Sequence, residues 1–488
     1  MKTTIEDIVK LLNRYLGDTP CWIAGGVIRD WLLGRPIQDL DLVVPENSIS
    51  IAKRFSRETN STLIVLHEDE GISRVVIDQV ILDFSNFRKG ATTIEQDLMY
   101  RDFTINSMAI GLDTAINHQL LSSRHLTPDA LEKLIIDPAD GISDAQHGII
   151  RTLSKDNLIS DPLRILRAIR FATHFDFQIE PNTKNWLNDC ALQIDNVSAE
   201  RIQYELNLII STPRAGMGFK LMHELGILNT IIPELNSAIG VNQPGFHHLD
   251  VFGHLLAALS CQDKIISSID SIFKPSEPVN TWIKKHPDRL CWVKWASLLH
   301  DIGKPPCMGI REDGRVTFYQ HDQTGANIVK AIGERLRWPK KAINFTARLV
   351  ALHMRPFFLL NDLKKGGPTP RAISKLLKST GDDYPALFMV AMADAMSAKG
   401  PLTPKDMEQQ LNSLLDRVHC FYLKKIEPIK KSPRLLTGND IQKIFGLSPG
   451  PVIGKILKEV EEARSAGEIS TRESAISLVN EWLRTNKA

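Results

Sequence analysis

The chain has 488 residues, too many for one ordinary core, and a typical domain of about 100 to 200 residues implies three or four units. Its 43% apolar and 24% charged residues are those of a globular protein. No apolar run approaches the ~18 residues of a membrane span, and the mixed-charge start Met1-Lys-Thr-Thr-Ile-Glu-Asp7 does not read as a secretory signal, so a cytoplasmic protein without a membrane partner is expected. A net charge of +2 announces no polyanion partner by itself. Cys21, Cys190, Cys261, Cys291, Cys307 and Cys420 lack the close pairs of a zinc site and read as reduced packing thiols.

In chain order, apolar periodicity predicts a helix over 5–16, a strand over 21–24, a helix over 27–33 and a strand over 39–44. A helix over 47–58 follows, then β-rich Leu63–Leu66, the run Arg74–Phe84 and, after a loop, Ile105–Gly111. These elements make a mixed sheet with few helices. From about residue 150 helical periodicity dominates to the end. Turn-rich Ser211–Gly218 and Lys399–Lys405 punctuate that series, which gives expected units of 1–150, 151–215, 216–400 and 401–488. There is no internal repeat and no low-complexity segment.

Asp39 and Asp41, in Gln38-Asp-Leu-Asp-Leu-Val-Val44, fall on one face of their strand because side chains alternate. Two convergent carboxylates suit hard divalent cations, which promote phosphoryl or nucleotidyl transfer. Upstream, Gly25-Gly26 lets the backbone turn tightly and approach a ligand, and the amides opening the next helix would favour a triphosphate. Arg29 follows one turn later, placed to reach phosphate or to pair with Asp30. A structural Gly-Gly corner is the plainer alternative. Asp83, on a neighbouring strand, is a third carboxylate or an edge-strand solubility charge.

Together, Gly25-Gly-Val-Ile-Arg-Asp30 and Asp39-Leu-Asp41 resemble the nucleotidyltransferase head of the bacterial CCA-adding and CC-adding tRNA nucleotidyltransferase and poly(A) polymerase family, class II. The resemblance continues in order through Tyr100–Ala109, Ile136-Asp-Pro with Gly141, Ile149–Thr152, Asp161–Ala172 and Ser198-Ala-Glu-Arg201. It implies an α+β head with a polymerase-beta-like mixed sheet, an all-α neck, an HD-domain body and a helical tail. It also implies Mg²⁺ at the head on Asp39 and Asp41, phosphate contact for Arg101, and sugar or structural hydrogen bonds for Asp102 and Asn106. A strand-to-loop ion pair is the structural alternative for Arg101 and Asp102.

Asp161-Pro162 suits an N-cap followed by proline at the first helical position. Arg164, Arg167 and Arg170 recur every three residues on the polar side, and Ile165, Ile169 and Ala172 form the apolar stripe. The resemblance implies that Asp161 and Arg164 template the incoming base, the carboxylate accepting from the exocyclic amine of cytosine or adenine and the guanidinium donating to ring acceptors. Ser160 stands where many relatives have glutamate. The segment Phe84–Tyr100 is shorter than the flexible loop that the family associates with switching from cytidine to adenosine, so cytidine addition is expected, with a separate A-adding enzyme as a partner in the pathway. A trimmed surface loop without consequence is the alternative.

His254, His300-Asp301, His321, His353 and Asp394 suit a borderline divalent metal that makes a hydrolytic nucleophile from water. They resemble an HD-type phosphohydrolase module, which implies a transition metal or Mg²⁺ there and phosphodiesterase or phosphatase activity on RNA ends or nucleotides. Lys304 contacts phosphate or solvates its loop. In the tail, Lys424, Lys425, Lys430 and Lys431 are candidates for holding an RNA backbone, or keep a helix soluble. The expected partners are tRNA, CTP and ATP. The reading is two-metal nucleotidyl transfer to tRNA 3′ ends with an HD hydrolase. Full CCA addition, poly(A) synthesis, an HD hydrolase whose head only binds RNA, and a silent RNA-binding protein remain open.

Overall fold

Thr4 opens helix α1 (Ile5–Leu16) with a reciprocal cap, its hydroxyl accepting from the Asp7 amide while the Asp7 carboxylate accepts from the Thr4 amide. Ile8, Val9, Leu12 and Leu16 recur at helical spacing and are buried. This computed structural model describes residues 4–37, 39–78, 80–121, 128–243, 245–363, 367–430 and 432–485. Strand β1 (Trp22–Ala24), helix α2 (Gly26–Leu32), strand β2 (Asp39–Val44) and helix α3 (Ser48–Glu58) follow. Strands β3 (Thr62–His67), β4 (Ile72–Ile77) and β5 (Val80–Asn86), helix α4 (Ile94–Leu98) and strand β6 (Ala109–Gly111) complete the head.

The strands form one sheet in the order β3-β4-β5-β2-β1-β6. β2 and β5 run parallel, with Asp41 opposite Asp83, and the other neighbours are antiparallel. Leu40, Leu42 and Val44 of β2 join Ile8, Leu12, Ile51, Phe55, Leu82 and Phe84 in the main core of the head. That burial leaves Asp39 and Asp41 on the opposite face. The run Arg74–Phe84, expected as one β-rich stretch, is a hairpin of β4 and β5 turning at Asp78, whose φ is 52°. β5 is therefore interior, and the edge-strand reading of Asp83 falls.

Asp137 explains the Ile136-Asp-Pro motif with Gly141. Its carboxylate accepts from the amides of Gly141 and Ile142 at 2.8 and 2.9 Å, satisfying orphan donors of the helix Gly141–His147. A Cβ on Gly141 would stand 2.2 Å from the Thr104 carbonyl oxygen, so the helix packs against the 3₁₀ turn Thr104–Asn106 only with glycine there. The later helix Arg164–Phe175 buries Ile165, Leu166, Ala168, Ile169, Phe171 and Ala172.

By contact density the chain divides into Met1–Glu205 with Leu221–Ile231, and Leu206–Lys220 with Ile232–Ala488. In the second unit, helices Val251–Ser267, Leu290–Leu299, His321–Arg335, Lys340–Leu352 and Tyr384–Ser397 pack on one another. Its last helices, Gly438–Phe445, Pro451–Ala466 and Arg472–Thr485, close a separate apolar cluster around Leu436, Ile441, Ile456, Val460 and Val479. Among the described residues no helix is long and apolar enough to cross a membrane. Replacing Gly141 with alanine is expected to cost about 1–3 kcal/mol through overpacking; urea unfolding of the variant checks this, and an unchanged midpoint would refute it.

Candidate active site and candidate metal centre

The polar face of the head sheet opens into a cavity of about 1010 Å³. Its wall brings together Gly25, Gly26, Arg29, Asp39, Asp41, Asp83, Arg101, Asp102, Asn106, Asp161, Arg164, Arg167 and Arg170. Gly25 has φ +79°, and a Cβ there would lie 2.7 Å from Arg101 and 2.9 Å from the Asp41 carboxylate. Glycine is thus required both by conformation and by the close approach of a charged pair. The Gly25 amide donates to the Met108 carbonyl at 3.0 Å, so it is already engaged.

Burial raises the Asp39 and Asp41 carboxyls above the usual range, and Asp83 adds to the rise at both. At Asp41 the Arg101 guanidinium opposes it. Asp83 is bound by Arg74 through two hydrogen bonds of 2.7 and 2.8 Å. Neither Asp39 nor Asp41 accepts a hydrogen bond from a described residue. Two crowded carboxylates whose charged forms are disfavoured by burial and by a third carboxylate are a donor set that hard divalent cations fit.

Arg101 is buried and its Nε lacks a hydrogen-bond partner. Burial, with Arg88 nearby, brings its guanidinium down to about 10, so it remains charged at neutral pH. Beneath it, Asp97 is fully buried, accepts from the Arg88 amide and guanidinium at 2.8 and 2.9 Å, and lies 3.7 Å from Arg101. Arg88 and Asp97 carry no signal in the sequence that sets them apart from other surface charges.

Arg29 is buried. It donates to Asn106 at 2.7 Å and to Asp30 at 3.0 and 2.9 Å, and its guanidinium lies over Phe175 at 4.4 Å. Asn106 in turn donates to Asp102 at 2.9 Å, and Arg167 grips Asp102 at 2.8 and 2.5 Å. Burial alone would raise the Asp102 carboxyl, yet Arg167 and Asn106 hold it well below the usual carboxylate range. Arg170 pairs with buried Glu205 at 2.9 Å. Asp161 does not cap the helix that follows. That helix begins at Arg164 without a side-chain cap, and the Asp161 carboxylate instead takes Arg201 at 3.1 and 3.3 Å. Arg164 donates to the carbonyls of Asn157, Tyr100 and Arg101.

In the second unit, His254 lies within its helix, His300-Asp301 ends Leu290–Leu299, His321 opens a helix, His353 ends Lys340–Leu352 and Asp394 lies in Tyr384–Ser397. The Nδ1 atoms of His300, His353 and His321 meet the carbonyls of Ser297, Val350 and Phe318 at 2.9, 2.7 and 2.7 Å, and His254 Nδ1 meets the Ser397 hydroxyl at 3.2 Å. Every Nε2 is thereby turned inward, the orientation metal-binding imidazoles take. The ligand atoms of His254, His300 and Asp394 form one triad and those of Asp301, His321 and His353 another. Asp301 spans both, with Oδ2 3.3 Å from His300 and Oδ1 3.3 Å from His321. Burial would lower His300, but Asp301 and Asp394 raise it to about 10.

Lys304 is buried, reaching Asp301 at 2.5 Å and Gln243 at 2.6 Å, so it does not simply solvate a loop. His247, which the sequence did not single out, lies 4.3 Å from the His254 ring, and burial lowers it to about 3. In the tail, Lys424 and Lys425 are exposed on the π-helical turn Tyr422–Ile426. Lys431 lies outside the described residues, as does the side chain of Lys430.

The Poly A polymerase head domain matches residues 21–151, the probable RNA- and SrmB-binding site of polymerase A residues 176–239, the HD domain residues 269–398 and tRNA nucleotidyltransferase domain 2 residues 406–479. An A-adding tRNA nucleotidyltransferase of Deinococcus radiodurans is 30% identical over 467 residues, covering 94% of this chain and 95% of the relative. The chain belongs to the tRNA nucleotidyltransferase family. A CC-adding member from Thermus thermophilus is 28% identical over 94% of this nucleotidyltransferase and 92% of its own length. The fold is that of a solved CCA-adding enzyme in its apo form I, with a TM-score of 0.62, 21% identity and coverage of 98% and 94%. The Thermotoga maritima CCA-adding enzyme complexed with tRNA gives a TM-score of 0.58 at 20% identity, covering 98% of this chain and 95% of that one. The HD match begins at residue 269, downstream of His254.

A carboxyl lowered by folding stabilises the protein fully above its unfolded pKa and loses that contribution as pH falls toward its folded value. Asp102→Asn is therefore expected to destabilise this nucleotidyltransferase by about 1–3 kcal/mol at pH 7, discounted because Arg167 is partly exposed. The gap should narrow below about pH 4, the ordinary carboxylate range. Urea unfolding at pH 7 and pH 3 checks this; a gap that does not shrink on acidification would refute it.

Proposed function

We propose that this chain adds nucleotides to the 3′ end of tRNA, and that the nucleotide it adds is cytidine. The family supports the first part, through relatives that are A-adding and CC-adding tRNA nucleotidyltransferases. The cavity supports the chemistry: unpaired carboxylates on β2 stand beside a buried arginine that keeps an unsatisfied donor. In this reading Asp39 and Asp41 hold the cations and Arg101 binds phosphate from within the wall. Arg29 and Arg167 brace Asn106 and Asp102, which are then fixed in place for the sugar. Bound Mg²⁺ would supply charge neutralisation at the triphosphate and a more acidic 3′-hydroxyl.

The single observation that carries cytidine addition is the connection from β5 to α4. It runs only from Phe87 to Thr93 and is pinned along its length. The Phe87 amide donates to Val44 at 3.0 Å, Phe87 packs on Trp22 at 5.5 Å, Arg88 is tied to Asp97, and the Thr92 amide donates to Gln96 at 2.9 Å. A segment so short and so fixed has little means of reshaping the cavity for a second base. The 30% identity with an A-adding relative favours adenosine addition as the second reading. Sequencing tRNA ends after reaction with CTP plus ATP separates them, starting from tRNA lacking CCA and from tRNA ending in CC. Cytidine addition predicts extension of the first substrate to CC and a stop. Adenosine on the second substrate, with none added to the first, would overturn it. Asp41→Asn should lower extension by about 10²–10³-fold or more, whereas retained extension would point to a head that only binds RNA.

The second constellation supports a hydrolase acting on phosphate esters, in which Asp301 is shared by two metal positions. Its residues fit because their inward Nε2 atoms and carboxylate oxygens converge within 4.8 Å of one another in each group. Such a centre supplies an activated water. Purified protein should carry about two divalent ions outside the head, and Asp301→Ala should lose both, by elemental analysis of an Asp39→Asn, Asp41→Asn background. His321→Ala should lose about one. Retention of both ions by Asp301→Ala would refute the shared carboxylate.

A further inference from the structure

The HD match begins at residue 269, and His247 stands upstream of it, beside the His254 ring. Resting on the reading of the helical unit's cluster as a metal centre, we propose that His247 is a further metal ligand, on the ion held by His254 and Asp301, and that its nitrogen fits this position to a borderline transition ion in preference to Mg²⁺.

Three observations carry this. Donor atoms of His247, His254 and Asp301 lie within 4.8 Å of one another, a separation that one ion with bonds of about 2.0–2.2 Å draws together. The second observation is an unsatisfied nitrogen. His254, His300, His321 and His353 each engage Nδ1 with a carbonyl or a hydroxyl, whereas His247 Nδ1 is buried without a hydrogen-bond partner. A bare buried nitrogen is costly, and a bond to a cation removes the cost.

The third is the way the loop bearing His247 is held. Lys304, which reaches Asp301, also donates to Gln243 at 2.6 Å, and Gln243 donates to the carbonyls of Leu249 and Asp250 at 3.4 Å. From the other side, the amides of Gly400 and Leu402 donate to the carbonyls of Phe246 and Gly245 at 2.8 and 3.0 Å. A Cβ on Gly400 would stand 2.5 Å from the His247 amide nitrogen, so the turn-rich junction after the helical body closes on this loop only with glycine there. A side chain on a loop fixed at both ends is preorganised to meet an ion.

The ligand chemistry follows. Imidazole nitrogen suits borderline transition ions, whereas Mg²⁺ takes oxygen ligands. His247 adds a third imidazole to the position of His254, His300, Asp301 and Asp394, and the position of Asp301, His321 and His353 keeps two.

The test uses the full chain carrying Asp39→Asn and Asp41→Asn, so that the head lacks its paired carboxylates. This parent, His247→Ala, His247→Cys and, at the exposed neighbouring position, His248→Cys are titrated with Co²⁺ with and without excess Mg²⁺. Absorption spectra are recorded, and each protein is melted without metal. His247→Ala should bind one ion about 100-fold more weakly or worse, beyond the 10- to 100-fold effect of losing an outer-shell partner, and its preference for Co²⁺ over Mg²⁺ should fall. Melting without metal should match the parent. His247→Cys should show a sulfur-to-cobalt charge-transfer band in the near ultraviolet that the parent and His248→Cys lack. That band reports contact with the ion, so it decides the matter even where His247→Ala melts low. Absence of the band, parental affinity in His247→Ala, or an unchanged preference for Co²⁺ over Mg²⁺ would overturn the proposal while leaving the metal centre intact. A parent that binds no Co²⁺ would bring down both.

Discussion

One buried carboxylate, Asp102, ties the head to the helix that follows it. It accepts from Asn106 and from Arg167, and its own carbonyl accepts from the Thr152 hydroxyl at 3.0 Å. Arg29 extends the chain from α2 through Asn106. A carboxylate placed this deep would be expensive alone, and it is tolerated because a guanidinium and an amide surround it. The same bonds fix the spacing between the sheet, where Asp39 and Asp41 lie, and the helix Arg164–Phe175. Distances across the cavity therefore rest on a charge pair on its wall and not on apolar packing alone.

The two constellations handle charge differently. In the head, negative groups outnumber their local partners at β2, and positive groups dominate the opposite wall, which leaves a polarised cavity. In the helical unit, five imidazoles and two aspartates are pressed together, and Lys304 offsets part of the negative charge at Asp301. Hydrogen bonds at the outer nitrogens fix the ring orientations there. The first arrangement is an open cavity, and the second is a buried cluster whose ligand atoms lie within 4.8 Å of one another in each group.

Much of the head was legible because its elements are short, strongly patterned and bounded by Gly, Pro and Asn. The strand carrying Asp39 and Asp41 needed only alternation to place both carboxylates on one face. The residues that hold them were less legible. Arg167 reaches Asp102 across 65 positions, and a three-residue arginine rhythm does not say which member turns inward. Asp161 before proline looks like a cap, but two turn residues intervene before the helix, and its carboxylate goes to Arg201. Arg74 opposite Asp83 was hidden inside a run that read as one strand, because Asp78 alone marked its turn. His247 lacked any spacing that linked it to the later histidines.

The parallel pairing of β2 with β5 places Asp41 against Asp83. Sliding β2 by one residue would turn both its aspartates into the apolar layer of Leu12, Phe55 and Leu82 and expose Leu40 and Leu42. The alternation that serves the chemistry is thus also a proofreading device for strand assembly. A shifted sheet would be penalised by buried charge before it could persist, so newly made chains are sorted by the same carboxylates that line the cavity. Neutralising them for study loosens that check, and an inactive variant deserves a test of strand register as well as of activity.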